Sequence, residues 1–255
     1  MTLPEKSRIR ESFDRAASGY DAVAVLQRLV CDKLIDAVAE RGAPDRLLDA
    51  GCGTGYGARC VRNRWPATHI TGVDFSPAML DVARPYLDDG KVADIEALPF
   101  AAGSFDTWLS SLAVQWCDID AVCREAARVL APGGCFALST LGAGTFHELR
   151  EAFASIDGHR HTLDFSDPER LLQAATAAGL SEVRLHREKV TLHYPDLRTL
   201  LGAVKGIGAN ALGDGRRKGM MGKAGWREVN AAYERYRQAD GLPASYDVIL
   251  LTARK

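Results

Sequence analysis

The chain has 255 residues, 47% of them hydrophobic, enough for one sizeable buried core. Its 32 Lys and Arg are balanced by 33 Asp and Glu, which argues against a general polyanion binder, nucleic acid included, because phosphate binding needs an excess of cations. The opening residues carry no apolar h-region and no run approaches membrane-spanning length, so a cytoplasmic protein with no membrane partner is expected.

Residues 5–17 are charged, with Ile9, Phe13 and Ala16 or Ala17 at helical spacing, and end at Ser18-Gly19-Tyr20-Asp21. A second helical pattern runs from Val25 to Val38 and stops at Gly42-Ala43-Pro44. Short apolar runs then alternate with helical stretches. Strands are predicted over 46–50, 69–74, 91–93, 105–110 and 135–139, and helices over 56–64, 77–86 and 119–130. Such alternation predicts a parallel sheet covered on both faces. Farther on, helices are predicted over 145–156, 167–178, 196–204 and 226–239, and strands over 183–192 and 245–253. Residues 205–225 are Gly-rich and basic, the best candidate for a flexible insertion or lid. The six cysteines form no C-x-x-C pair and sit in apolar segments, so buried thiols are expected rather than a metal site or disulfides.

The segment Leu48-Asp49-Ala50-Gly51-Cys52-Gly53-Thr54-Gly55 is a strand running into a glycine turn and then a helix. Glycines remove the Cβ atoms that would block a ligand from the backbone, and the helix N-terminus offers N–H groups and a positive dipole end. The next strand ends in Asp74, about 20 residues on, where a carboxylate would hydrogen-bond a ribose diol. This much fits either a nicotinamide enzyme or a methyltransferase. The glycines alternate, however, and lack the G-x-G-x-x-G spacing. Ala93-Asp94-Ile95-Glu96-Ala97-Leu98-Pro99-Phe100 follows, then Gly103-Ser104-Phe105-Asp106, then Arg128-Val129-Leu130-Ala131-Pro132-Gly133-Gly134.

Over residues 45–140 this order resembles the class I methyltransferases. The resemblance implies a Rossmann-like α/β fold with a mostly parallel seven-stranded sheet, helices on both faces, an N-terminal helical lid and a C-terminal helical insertion. It implies one domain over 1–255, with a lid at 1–42, a cofactor core at 45–140 and substrate or cap elements at 141–255. It further implies S-adenosylmethionine as cofactor, S-adenosylhomocysteine as product, and no metal. Asp49, Gly51, Gly53, Gly55 and Ala113 would line its site. Asp74 would hold the ribose and Asp94 the adenine amino group, with Phe75 and Ile95 flanking the adenine and Met79 close by.

Outside that core, 13–21 with Leu26-Gln27-Arg28, then Ser111-Leu112-Ala113-Val114-Gln115-Trp116-Cys117, then 139–149 and 204–209, are similar to the malonyl-acyl-carrier-protein O-methyltransferase family of biotin synthesis. The resemblance spans nearly the whole chain and is weakest over 214–225. It implies methyl transfer to the free carboxylate of malonyl-acyl-carrier protein or malonyl-CoA. A carboxylate is ionised at neutral pH, so alignment and water exclusion suffice and no general base is needed. The candidate catalytic groups are therefore positioners: Tyr20, Gln115, Arg150 and His161, with Gln27 reaching the cofactor. Residues 205–227 hold six cations against Asp214 alone, and Lys205, Arg216, Arg217 and Lys218 are expected to dock the acidic carrier protein. The fold alone leaves open a methyltransferase of another small carboxylate or hydroxyl, or a cofactor-binding regulator. No N-P-P-Y type tetrapeptide follows the fourth strand, which argues against a nucleic-acid substrate.

Overall fold

A computed structural model describes residues 5–154, 162, 163, 165, 167–207 and 222–255. Seven strands form one sheet: β1 (Arg46–Ala50), β2 (His69–Asp74), β3 (Asp89–Val92), β4 (Phe105–Ser111), β5 (Leu130–Leu141), β6 (Ser181–Tyr194) and β7 (Leu242–Arg254). Their order is β3-β2-β1-β4-β5-β7-β6. The first five pair in parallel, and β7 runs antiparallel to both β5 and β6. The reversal of strand order at β1 puts a crevice beyond the carboxyl ends of β1 and β4, where open α/β sheets bind ligands.

Alternate residues of the central strands feed two cores. Leu47, Leu109, Ala137 and Leu250 face α3 (Val25–Ala39), α4 (Tyr56–Arg64), α7 (His147–Ala154), α9 (Leu197–Gly206) and α10 (Lys223–Glu234). Their sequence neighbours Leu48, Trp108, Phe136 and Ile249 face α6 (Ile119–Val129) and α8 (Pro168–Ala177). Trp108 and Phe136 stack with ring centroids 4.8 Å apart. The shorter α5 (Pro77–Ala83) buries Leu80 and Ala83 against Cys52. All six cysteines are free thiols, four of them buried.

Helix starts follow local chemistry. Ser76, Asp118, Asp167 and Asp196 each accept a backbone N–H from the first turn they precede, and Pro77 and Pro168 open their helices. Several predicted boundaries differ from the structure. The helix expected over 77–86 ends at Ala83 and tightens into a 3₁₀ turn over Arg84–Tyr86, where Pro85 lacks the N–H that would continue it. The Pro132-Gly133-Gly134 stretch lies within β5: Leu130 pairs with Phe105 and Cys135 with Thr107, so the intervening residues form a bulge. The helix expected over 226–239 runs from Lys223 to Glu234. A tight turn follows, with Gly241 at φ +122°. Among the described residues, 195–207 and 222–241 place α9 and α10 between β6 and β7.

At the other end of the chain, α1 (Lys6–Ala16) and α2 (Tyr20–Val23) reach across the sheet's carboxyl edge. Ile9 is fully buried there. Phe13 meets Phe75 and Trp116 edge to face, at 6.1 and 5.8 Å.

Candidate active site

A cleft of about 1040 Å³ opens at the ends of β1, β2 and β4, beneath α1 and α2. The glycine turn forms its floor. Gly51, Gly53 and Gly55 all have positive φ, which suits glycine. Their surroundings differ. A Cβ on Gly51 would sit 2.5 Å from the Ala113 Cβ, so Gly51 admits the loop after β4. A Cβ on Gly53 would meet nothing within 4 Å; it would project into open space. Gly55 packs on α5, where a Cβ would lie 3.0 Å from Ala83, and it does not line the cleft. Of the three, Gly51 and Gly53 are cleft residues and Gly55 is a packing residue.

Two buried acids flank the turn. Asp74 accepts hydrogen bonds from the Gly53 N–H (2.9 Å) and the Ser76 N–H (2.8 Å). Asp49 is 3% exposed, and its Oδ2 is buried with no hydrogen-bond partner among the described residues. Gly57 leaves it room, since a Cβ there would stand 3.0 Å from that oxygen. Burial, reinforced by the Asp74 charge, pushes the Asp49 carboxyl up to about 7 despite the Ala58 N–H. Burial likewise pushes Asp74 up to about 6, against the N–H groups of Ser76 and Gly53. The cleft is therefore short of positive charge where its carboxylates are most deeply buried.

The adenine end expected from the sequence holds Phe75, Met79, Asp94 and Ile95, and all four line the cleft. Asp94 accepts the Glu96 N–H and ion-pairs with Lys6. Ala113 and Gln27 line it too. Asp21 clamps α2 to the glycine turn by accepting the Thr54 hydroxyl (2.6 Å). Burial and the charges of Asp74 and Asp21 raise the Tyr20 phenol, which stays protonated and able to donate.

A second cavity of about 640 Å³ adjoins the cleft. Phe13, Tyr20, Gln27, Leu112 and Trp116 line both, so Tyr20, Gln27 and the Trp116 indole are the hydrogen-bonding side chains at the junction. The rest of the second cavity is largely apolar, with Leu141, Phe146, Leu149 and Val204, and it includes Gln115 and Thr162. None of its described lining residues is charged. Arg150, expected to face substrate, lines neither cavity. Its guanidinium turns onto its own loop, donating to the carbonyls of Thr145 and of Ala143 (2.7 Å), where it satisfies backbone acceptors at the start of α7. His161, Arg216, Arg217 and Lys218 lie outside the described residues. Lys205 is exposed on α9, next to the cavity residue Val204.

Neither the cleft residues Lys6 and Asp21 nor Asp14, which braces α1 against α5, was legible in the sequence. Asp14 receives the Ser76 hydroxyl (2.5 Å) from 62 positions away, and no local pattern announces such a contact. Among the described residues no group of three or more His, Cys, Asp or Glu could hold a metal ion, and no helix is long and apolar enough to cross a membrane.

The strand order, the glycine turn and the acids closing β1 and β2 define a class I methyltransferase, the S-adenosylmethionine-dependent kind, and a family model described as a methyltransferase domain matches residues 48–138. The malonyl-[acyl-carrier protein] O-methyltransferase of Dechloromonas aromatica is 50% identical over 256 residues, covering 100% of this chain and 96% of that one. The chain belongs to this family of enzymes. The biotin biosynthesis bifunctional protein BioHC of Teredinibacter turnerae is 39% identical over 98% of this chain and 47% of its own length. Among solved structures, the YcgJ protein of Bacillus subtilis superposes with a TM-score of 0.60 at 20% identity, over 87% of this chain and 97% of that one, a likeness of fold.

Proposed function

We propose that this enzyme methylates the free carboxylate of a malonyl group carried as a thioester on acyl-carrier protein, an early step of biotin synthesis. The observation that carries the reading is the pair of joined cavities, one acidic and one apolar and uncharged, meeting at Tyr20 and Gln27.

S-adenosylmethionine supplies an electrophilic methyl group on a positively charged sulfur. The acidic cleft suits it. Asp74 accepts the ribose hydroxyls with lone pairs its two backbone donors leave free. Asp94 accepts the adenine amino group, and Gly53 lets the ligand approach the backbone. The unpartnered Asp49 Oδ2 offers the ammonium group a buried counter-ion.

The malonyl carboxylate needs no base, because it is ionised at neutral pH. The apolar second cavity strips it of water, which sharpens it as a nucleophile and keeps water from the methyl group. Tyr20 and Gln27 donate to it and fix its line of approach; orientation supplies much of the acceleration in such a transfer. Lys205, and in the sequence that follows it Arg216, Arg217 and Lys218, supply cations for the acidic carrier.

The test is methyl transfer to malonyl-carrier protein, malonyl-CoA and free malonate, side by side. Turnover should be greatest on the carrier-bound malonate. Equal or better turnover on free malonate would overturn the assignment.

A further inference from the structure

Gln115 sits in a short 3₁₀ turn (Val114–Trp116) directly after β4. Its Nε2 donates to the carbonyl of Leu112 at 2.6 Å. Leu112 is held in place from both sides. Its N–H is bonded to the Ser139 carbonyl and hydroxyl oxygens, each at 3.1 Å, and its φ of +50° is a strained value for a branched side chain. A carbonyl only accepts, so the Gln115 amide cannot turn over without setting oxygen against oxygen. That leaves Oε1 as the free end. It is buried, it has no hydrogen-bond partner among the described residues, and Gln115 lines the second cavity.

An orphaned acceptor calls for a donor from the ligand. The malonyl carboxylate and the thioester offer only acceptors. The first N–H along a pantetheine arm belongs to the amide two methylene groups beyond the sulfur. We infer that Gln115 accepts this amide N–H and so reads the arm of the substrate rather than its carboxylate. The inference rests on the proposed malonyl-thioester substrate. It makes Gln115 a specificity-determining residue, set among apolar neighbours where one hydrogen bond counts heavily. A malonyl group seated by this contact has its carboxylate directed away from Gln115, toward the junction at Tyr20 and Gln27.

The test uses malonyl-carrier protein bearing either the natural arm or an arm in which that amide N–H is replaced by an ester oxygen. For the wild-type enzyme, kcat/KM should fall about tenfold or more on the ester arm, since a buried acceptor is left unpaired. Gln115→Leu should be slow on both arms and discriminate between them by no more than about twofold. Equal wild-type rates on the two arms would overturn the inference, whether or not Gln115→Leu folds, as would full discrimination retained by Gln115→Leu. Absence of methyl transfer to the natural arm is a different failure, which removes the substrate reading and this inference with it.

Discussion

Lys6 in α1 ion-pairs with Asp94, 88 residues away, and reaches Glu96 at 2.8 Å as well. One ammonium therefore fastens the N-terminal helix to the loop after β3, on the acid proposed for the adenine. Both partners are partly exposed, so the tie is worth at most about 1 kcal/mol. Lys6→Ala should accelerate hydrogen exchange over residues 6–16 by up to about fivefold without altering exchange in the sheet. Unchanged exchange in that helix would mean that Ile9 and Phe13 alone hold it down.

The glycine turn separates fold from binding. Gly51→Ala forces a Cβ into Ala113 at 2.5 Å and should lower stability by about 1–3 kcal/mol. Gly53→Ala meets open space, so its stability cost is confined to about 1–2 kcal/mol of left-handed backbone strain, while cofactor affinity falls sharply. Thermal unfolding read beside calorimetry with S-adenosylmethionine separates the two. Full affinity in Gly53→Ala would place the cofactor elsewhere.

Asp74→Ala removes the acceptor proposed for the ribose and should weaken S-adenosylmethionine binding by about 1–3 kcal/mol per charged hydrogen bond lost. Unchanged affinity by calorimetry would end the assignment.

Asp49 predicts a pH signature. Its pKa is raised in the folded protein, to about 7 from 3.8, so the folded state holds a proton that the unfolded state has released. Stability therefore falls as pH rises through that window, because unfolding releases the proton and higher pH favours that release. Asp49→Asn escapes this cost. The variant should be more stable than wild type at pH 7.5, and the gap should close toward pH 5.5. It should also bind S-adenosylmethionine more weakly, and wild-type binding near pH 6.5 should release protons. A gap in unfolding temperature that is flat across this range would show that Asp49 does not titrate there.

Behind the second cavity, Asp247 clasps the loop that follows β5. It takes Arg187 through two hydrogen bonds of 2.5 and 2.7 Å and the Gly144 N–H at 3.0 Å, while its own N–H donates to the Thr145 hydroxyl. That loop sets Phe146, at φ +55°, into the cavity wall. Asp247→Ala should raise KM for the malonyl substrate while leaving cofactor affinity near wild type. An equal loss in both would mean that the loop supports the whole site.

The elements that form the floor of the cleft were legible because they are local. Strand, glycine turn, helix and the next strand's acid occupy residues 46–74, and each leaves a mark in the sequence: an apolar run, alternating glycines, a helical period, a terminal Asp. The mostly parallel seven-stranded sheet was legible only through resemblance, since alternation of helices and strands does not say that one strand reverses. The partners of individual side chains left no mark. Arg150 reads as a substrate clamp until its carbonyl partners are seen, and Gly55 reads as a cofactor glycine until Ala83 is found against it. Lys6 carries no pattern at all, because an ion pair across 88 positions depends on tertiary approach.

The place of β7 bears on how the protein is made. Its residues 242–254 lie between β5 and β6, buried along almost their whole length, and β6 has no other strand neighbour. During synthesis β7 must leave the exit tunnel before β6 can join the sheet. Until then β5 stands as an open edge beside an unpaired ribbon, a template for pairing with other nascent chains. Completion of the sheet therefore waits on β7, the last of its seven strands in chain order.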